Sequence, residues 1–414
     1  MRAAALALAL AAAPAAFAQD PDAAALDLAD KTQAKPQQSG DWRVFAEGAA
    51  RAVRLRNPDA STHDARYSVD VRFDKVFSPG WRAVLADRLD AQRPQAGDDR
   101  DVNTLKEAYL SWQPAPERIA DLGRVNVRNG VAMGYNPTDY FRAGAVRSIV
   151  SLDPASLREN RLGTGLVRGQ ALWEGGSLSA LYAPKLGDAP SSADFSADFG
   201  ASNPRDRWLL ALGRKLGGLS PQFLLQGGEG QSAQLGFNLT GLPNDATVAY
   251  LEWSGGRSAS LAAQAGIAPP DEEFRSRAAG GVTYTTPQNL SLTAEIQYNG
   301  AGLDRAGWDA LRRGSPAAYG AYRQLAASLQ DPPTRYNLFF HALWQDVLAK
   351  HLDLAAMVRY DGIDRSRLQW LEARYHWPKV DAALQAQVNS GEPGSDYGAL
   401  PERRVVQALL RYYF

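Results

Sequence analysis

The side chains able to do chemistry in this 414-residue chain are arginines, carboxylates and four histidines; there is no cysteine. Without cysteine, disulfides, thiolate nucleophiles and Cys-ligated metals are all excluded. His63, His341, His351 and His376 show no spacing of a local metal-ligand pair, and no G-x-S-x-G nucleophile elbow is present. Neither a catalytic centre nor a cofactor site is therefore expected. The 45 basic residues balance 45 acidic ones, so no net field gathers polyphosphate and no nucleic-acid partner is expected. Lysine is scarce, so arginine supplies most of the positive charge. Its planar fork holds a carboxylate, a phosphate or a sugar hydroxyl in fixed geometry.

The elements that must position these arginines alternate. In Tyr67-Ser68-Val69-Asp70-Val71-Arg72-Phe73-Asp74 every odd position is apolar and every even one polar, the period of a strand with one oily and one wet face. Leu290, Leu292, Ala294, Ile296 and Tyr298 repeat the pattern, as do Val380, Ala382, Leu384, Ala386 and Val388. In the last strand Val406, Ala408, Leu410, Tyr412 and Phe414 share one face. At the N-terminus, Arg2, an apolar Ala/Leu run and Ala16-Phe17-Ala18 read as a secretory signal peptide over residues 1–18. Beyond it no stretch approaches the roughly 18 apolar residues of a membrane-spanning helix.

Amphipathic segments of about ten residues separated by turns are what a transmembrane β-barrel requires, because only a closed sheet pairs every backbone group in hydrocarbon. Aromatics such as Trp81, Trp112, Tyr336, Trp344 and Trp377 fall near strand ends, as interfacial girdles do. Signal peptide, absence of Cys, alternation to the last residue and a terminal Tyr-x-Phe together resemble the Gram-negative outer-membrane porin class. The resemblance covers nearly the whole mature chain. It implies a bacterial outer-membrane location in contact with outer-membrane lipid, and recognition of Tyr412 and Phe414 by the barrel-assembly machinery. It leaves open whether three chains associate as a homotrimer.

The expected fold is therefore all-β: one transmembrane antiparallel barrel over residues 41–414, preceded by a flexible periplasmic segment, 19–40. Nineteen candidate strands emerge, among them 220–228, 245–254 and 257–266, whereas bacterial single-chain barrels use even numbers. Short turns at 78–80, 113–116, 348–350 and 377–379 alternate with longer loops, and counting from the two ends collides in Gly217–Gly230. One candidate there is expected to be spurious, giving 18 strands, with 16 as the alternative. Either number leaves an aqueous lumen.

By the alternation, Asp70, Arg72, Asp74, Arg82, Arg88, Asp90, Glu107, Arg124, Arg128, Arg168, Glu295, Arg359, Asp361, Asp381 and Arg411 point inward. His341, opposite the oily face of Tyr336, Leu338, Phe340, Ala342 and Trp344, is expected to be a hydrogen-bonded wall residue. The inward arginines either pair with acids to stiffen the wall or form a ladder guiding an acidic or sugar-like solute.

Two inserts, both expected on the extracellular side, interrupt the pattern. After Arg124, Asn126 and Arg128 are delivered to the lumen wall, about thirty residues carrying Asn136, Asp139, Arg142, Arg147, Arg158 and Arg161 leave the strand period. Connections that long are usually functional or disordered, and Asn136-Pro137 starts a turn whose NH groups Thr138 or Asp139 can bond. The segment reads as folding into the lumen, either as a selectivity constriction or as a plug. Its Gly-Arg…Asn-Pro-Thr-Asp run resembles a hairpin of alginate-export-type barrels over about 40 residues. The second insert, 300–333, turns helical: Ser315-Pro316 caps a helix that Asp331-Pro332-Pro333 ends, and Trp308 and Leu311 suggest another before Gly314. It reads as a lid on the barrel mouth or a partner-docking helix. The whole reads as an outer-membrane channel for a polar or acidic small molecule or oligosaccharide; the alternative is a plugged, non-conducting barrel serving as a secretion or envelope-assembly partner.

Overall fold

The computed structural model describes residues 40–414, so the expected signal peptide and, apart from Gly40, the expected periplasmic segment lie outside the described residues. Eighteen strands form one antiparallel sheet. The first nine are β1 Trp42–Leu55, β2 Ser61–Ser78, β3 Trp81–Pro94, β4 Arg100–Ala115, β5 Arg118–Val125, β6 Thr164–Trp173, β7 Gly176–Ala183, β8 Arg207–Arg214 and β9 Leu219–Gly228. The others are β10 Gln231–Asn244, β11 Thr247–Ala259, β12 Glu272–Thr285, β13 Leu290–Asn299, β14 Tyr336–Trp344, β15 Leu352–Asp361, β16 Arg367–His376, β17 Val380–Ser390 and β18 Glu402–Tyr413. Each strand pairs with its sequence neighbours, and β1 pairs with both β2 and β18, which closes the barrel.

Alternation decides the two faces. Tyr67, Val69, Leu122, Phe223, Ile296, Leu371 and Leu410 stand exposed on the outside, while Ser68, Asp70, Arg88, Glu295 and Gln407 are buried inside. An exposed apolar belt around a closed sheet is the surface a bilayer accepts. Aromatic pairs sit at strand ends: Trp81 stacks on Trp112 with centroids 5.8 Å apart, and Tyr412 meets Phe414 edge-on at 5.1 Å. No helix among the described residues is long and apolar enough to cross a membrane; the crossing is made by strands.

The strand number agrees with expectation, but the surplus candidate lies elsewhere. Gly217–Gly230 holds two genuine turns and the body of β9. The false strand is 257–266: β11 runs on to Ala259, and Ser260 then caps a short helix, Leu261–Gln264, by accepting the Ala263 amide. The continuous apolar run hid a change from strand to helix. With that correction one rim carries only short turns, including 79–80, 116–117, 174–175 and 377–379, and the long connections all fall on the other, together with a few short ones such as 229–230. The short-turn rim is the periplasmic one.

Three long connections occupy the extracellular side, one more than expected. Residues 126–163 enter the lumen and include the short helix α1, Pro154–Glu159. Residues 184–206 carry α2, Phe199–Ser202, which follows an aspartate cap. Residues 300–335 carry α4, Arg305–Arg313, and α5, Pro316–Leu329, after α3, the Leu261–Gln264 helix. Asp304 caps α4 and Ser315 caps α5, with Pro316 at the first helical position. Trp308, Tyr322, Ala326, Leu261, Ala301 and Ile363 pack into one apolar cluster that holds these helices together as a cap.

Candidate functional site

The insert crosses the lumen. It leaves the wall after Val125 of β5 and returns at β6, and its middle is held by β11, β13 and β14–β15; in an 18-strand ring the last pair lies diametrically opposite the insert's root. Two wall carboxylates do most of the holding. Glu252 of β11 accepts the amides of Val131 (2.9 Å), Ala132 (3.1 Å) and Thr138 (2.7 Å). Glu295 of β13 accepts those of Met133 (2.8 Å), Gly134 (3.1 Å) and Tyr135 (3.0 Å). An irregular segment must find partners for its amides away from water, and here two glutamate side chains supply them. Gly134 is required by proximity: a Cβ there would stand 2.5 Å from the Phe339 ring and 2.6 Å from Gln297 Nε2. Arg359 completes the anchor, donating to the Gly134 carbonyl at 3.1 Å while lying over the Phe339 ring.

The turn at Asn136-Pro137 forms, but its side chains face outward to the wall and the returning chain. Thr138 donates its hydroxyl to Glu252 (2.8 Å), and the Asp139 carboxylate receives Arg161 at 2.6 Å. Asn136 donates to the Ala132 carbonyl (2.6 Å), and Arg158 donates to that same oxygen and to Asn136 Oδ1. Arg142 bonds Asp331 and the Leu329 carbonyl, which ties the insert to the end of α5. Asn126 accepts from Arg161 and donates to the Arg158 carbonyl, locking the root. Packing adds to this: Val125, Val127, Phe141, Leu166, Leu181, Leu209 and Leu224 form an apolar cluster between the insert and the β5–β9 wall.

The predicted pore arginines divide accordingly. Arg72 pairs with Glu107 and Asp74, Arg82 with Asp74, Arg88 with Glu47 and Asp90, and Arg168 with Asp121. Asp381 accepts from Tyr413 (2.7 Å) and faces His376 Nδ1 at 2.8 Å. All of these face inward, in closed pairs. Arg124 does not face the lumen. Its register partner is Ala108, on the outward face with Leu110 and Leu122, so the guanidinium lies outside the sheet, over the Phe199 ring and bonded to the carbonyls of Gly163 and Ala197. The sequence hid this because the connection covering it, 184–206, is distant in the chain. Arg147 likewise bonds Asn103 and the 193–198 segment and lines no pore. His341 does face inward, but its Nε2 has no hydrogen-bond partner.

Arg128 is different. It is half-buried and carries no ion pair or side-chain hydrogen bond among the described residues. It lines a cavity of about 670 Å³ on the short-turn side of the insert, bounded by the ends of β6 to β12. Arg214 and Lys215 join it at the rim, Asn129, Ser177, Gln222, Asn238 and Thr240 offer neutral polar groups, and no Asp or Glu lines the space. Tyr250, Leu172, Met133 and Val248 supply apolar surface. A cavity with uncompensated cations, neutral donors and no acid favours an anion. Glu252, Asp331, Arg214 and Lys215 were missed from sequence. Glu252 and Arg214 sit in ordinary strand alternation, and Asp331 looked only like a helix stop.

No family model matches the sequence, and no curated protein matches it. Solved structures do match the fold. Acinetobacter baumannii OccAB1 superposes with a TM-score of 0.56 at 12% identity, covering 92% of this chain and 98% of that one. The outer membrane protein opdK of Pseudomonas aeruginosa gives 0.53 at 9% identity, covering 90% and 99%. Pseudomonas aeruginosa OccK2 (OpdF), solved in complex with glucuronate, gives 0.52 at 11% identity, covering 90% and 97%. The closed 18-stranded sheet, its apolar belt and a lumen crossed by a long connection thus give this chain the fold of the porin-like outer-membrane β-barrels.

Proposed function

We propose that the protein is an outer-membrane channel passing a small acidic solute, such as an organic acid or acidic sugar, without covalent chemistry. The observation that carries this is the acid-free cavity beneath the insert, where Arg128 is left unpaired while Arg72, Arg82, Arg88 and Arg168 sit in closed ion pairs. An anion entering it exchanges water for Arg128 and the neutral donors of Asn238, Gln222 and Ser177, which lowers the barrier to its passage. The structure solved with glucuronate shares the fold, and its ligand is of the same chemical class. The same reading seats the belt in outer-membrane lipid and assigns insertion to the barrel-assembly machinery.

A second reading has its own support. The insert is held at its root, middle and tip, and Arg142 joins it to the cap. A barrel closed in this way would serve as a non-conducting partner in secretion or envelope assembly. Planar-bilayer recording in a salt gradient separates the two. Steady anion-selective openings, with a reversal potential that moves toward cations in Arg128→Glu, support the channel. Silence from folded wild-type protein, with openings only once residues 129–162 are removed, supports the plug.

A further inference from the structure

The wall of the barrel is uneven. β2 and β4 run for 18 and 16 residues, but β5, β7 and β8 have only 8 each. A tilted strand of eight residues rises roughly 20 Å, less than the apolar band of about 25 Å that an outer-membrane barrel presents. All the missing length is on the extracellular side. β4 pairs with β5 only from Ala108 to Ala115, so its upper half, Arg100–Glu107, is paired with β3 on one side and has no strand on the other. The gap is filled by loops. Gly163 donates to the Leu105 carbonyl, and Asn103 donates its amide to the Asp194 carbonyl at 3.1 Å.

Through this gap the lumen insert and the outer connection touch directly. Arg147 of the insert bonds the carbonyls of Ala193 (2.7 Å) and Ser196 (3.2 Å), bonds Asn103, and faces Asp198 at 3.4 Å. Ser196 in turn donates to Asn103 Oδ1 at 2.8 Å. Segment 191–197 is otherwise exposed, and Phe195 is 65% exposed on its outer side. Polar bonds to Arg124, Arg147, Asn103 and Asp198 fix it, and none of its residues belongs to an apolar cluster among the described residues. Behind it are two guanidiniums, Arg124 and Arg147, and the apolar lumen cluster of Val125, Phe141 and Leu166.

We infer that the barrel has a lateral window between β4 and β8, that segment 191–197 is its removable plug, and that the window admits an anionic amphiphile from the outer leaflet. When the plug swings away, Arg124 loses the Ala197 carbonyl and Arg147 those of Ala193 and Ser196, and an acidic head group takes the place of these acceptors. The chain of the amphiphile then meets Phe141 and Leu166. This needs neither conduction nor an aqueous path through the cap.

Cysteine pairing tests it cleanly, because the chain has no cysteine of its own. N103C/S196C protein is reconstituted in phosphatidylcholine vesicles containing a diazirine-bearing long-chain fatty acid, photolysed with the disulfide reduced or oxidised, and mapped by mass spectrometry. Outward Leu122 and Val167 report lipid contact in every form. Labelling at Phe141 and Leu166 is expected in the reduced protein, lost on oxidation, and increased in R147Q, which keeps the wild-type Asn103 and Ser196. Equal lumen labelling in reduced and oxidised protein would place the entry at the aqueous mouth and overturn the window. Labelling confined to Leu122 and Val167 in reduced protein and R147Q alike would overturn it too.

Discussion

Arg88 and Arg128 face the same lumen from different sides, and their surroundings have little in common. On the wall from β16 through β18 to β4, charge is closed on itself. Glu47 receives Arg66 at 2.6 Å, Arg88 at 2.9 Å and Arg411 at 2.7 Å; Lys106 bonds Asp70 at 2.6 Å; Arg374 bonds Glu372 at 2.8 Å. Arg88 and Glu47 are each 1% exposed at the side chain. On the β6–β12 side no acid lines the cavity, and Arg128 has no ionic partner. Burying charge is tolerable when each ion is paired and hydrogen-bonded. A cation left half-buried without a partner contributes nothing of that kind to the fold and remains available to a solute. One side of the lumen is scaffold, the other is site.

Breaking the scaffold side should have the largest effect. Glu47→Gln removes the negative charge shared by Arg66, Arg88 and Arg411 and puts an NH₂ group among them, and the expected cost is about 3–5 kcal/mol of stability, read as a lowered urea midpoint in micelles. Glu295→Ala should come next. It frees three insert amides and the Tyr250 hydroxyl, each left wanting about 1–3 kcal/mol of hydrogen bonding unless water reaches it. The insert should swing, and single-channel conductance should rise while the paired wall is unchanged. Arg128→Ala should leave the urea midpoint within about 0.5 kcal/mol of wild type and abolish anion preference. A stability loss like that of Glu47→Gln would erase the contrast between the two sides.

The smallest effect is at the cap. Asp396, in the 391–401 loop, bonds Arg323 of α5. Burial pushes its carboxyl up to about 7, against the pull of Arg323 and with help from Asp361 and Asp364. The folded state therefore holds a proton that the unfolded chain, titrating near the ordinary value of about 4, has lost. This contribution is fully present below about pH 4 and disappears as pH rises through about 7. Hydrogen exchange in 391–401, corrected for intrinsic rates, should speed up between pH 5 and pH 8. Asp396→Asn should flatten that change.

The strands were legible because a two-sided wall between lipid and water imposes strict alternation, and Tyr67 to Asp74 shows it without any tertiary information. The helices α4 and α5 were legible through Ser315-Pro316 and Asp331-Pro332, which are local capping chemistry. The 257–266 error shows the limit of such reading. Its apolar run suits a strand or a short helix equally, and the Ser260 cap was the only local sign. Arg124 shows a different limit. Its alternation places it on one face, but which face is inside depends on register with Ala108 and on a connection some seventy residues away.

The sequence by itself determined a closed antiparallel barrel, its apolar belt and the insert that leaves β5, because each follows from periodicity or from a break in it, while it left the strand number at 18 or 16. It also determined that arginine would supply most of the positive charge. The tertiary structure decided which arginines are paired. Glu47, Glu252, Glu295 and Asp331 come from strands and loops far apart in the chain, and closing the sheet brings each against its own cation or amide. Only that closure shows that Arg88 is consumed in pairing, that Arg124 is outside the wall, and that Arg128 has no ionic partner among the described residues.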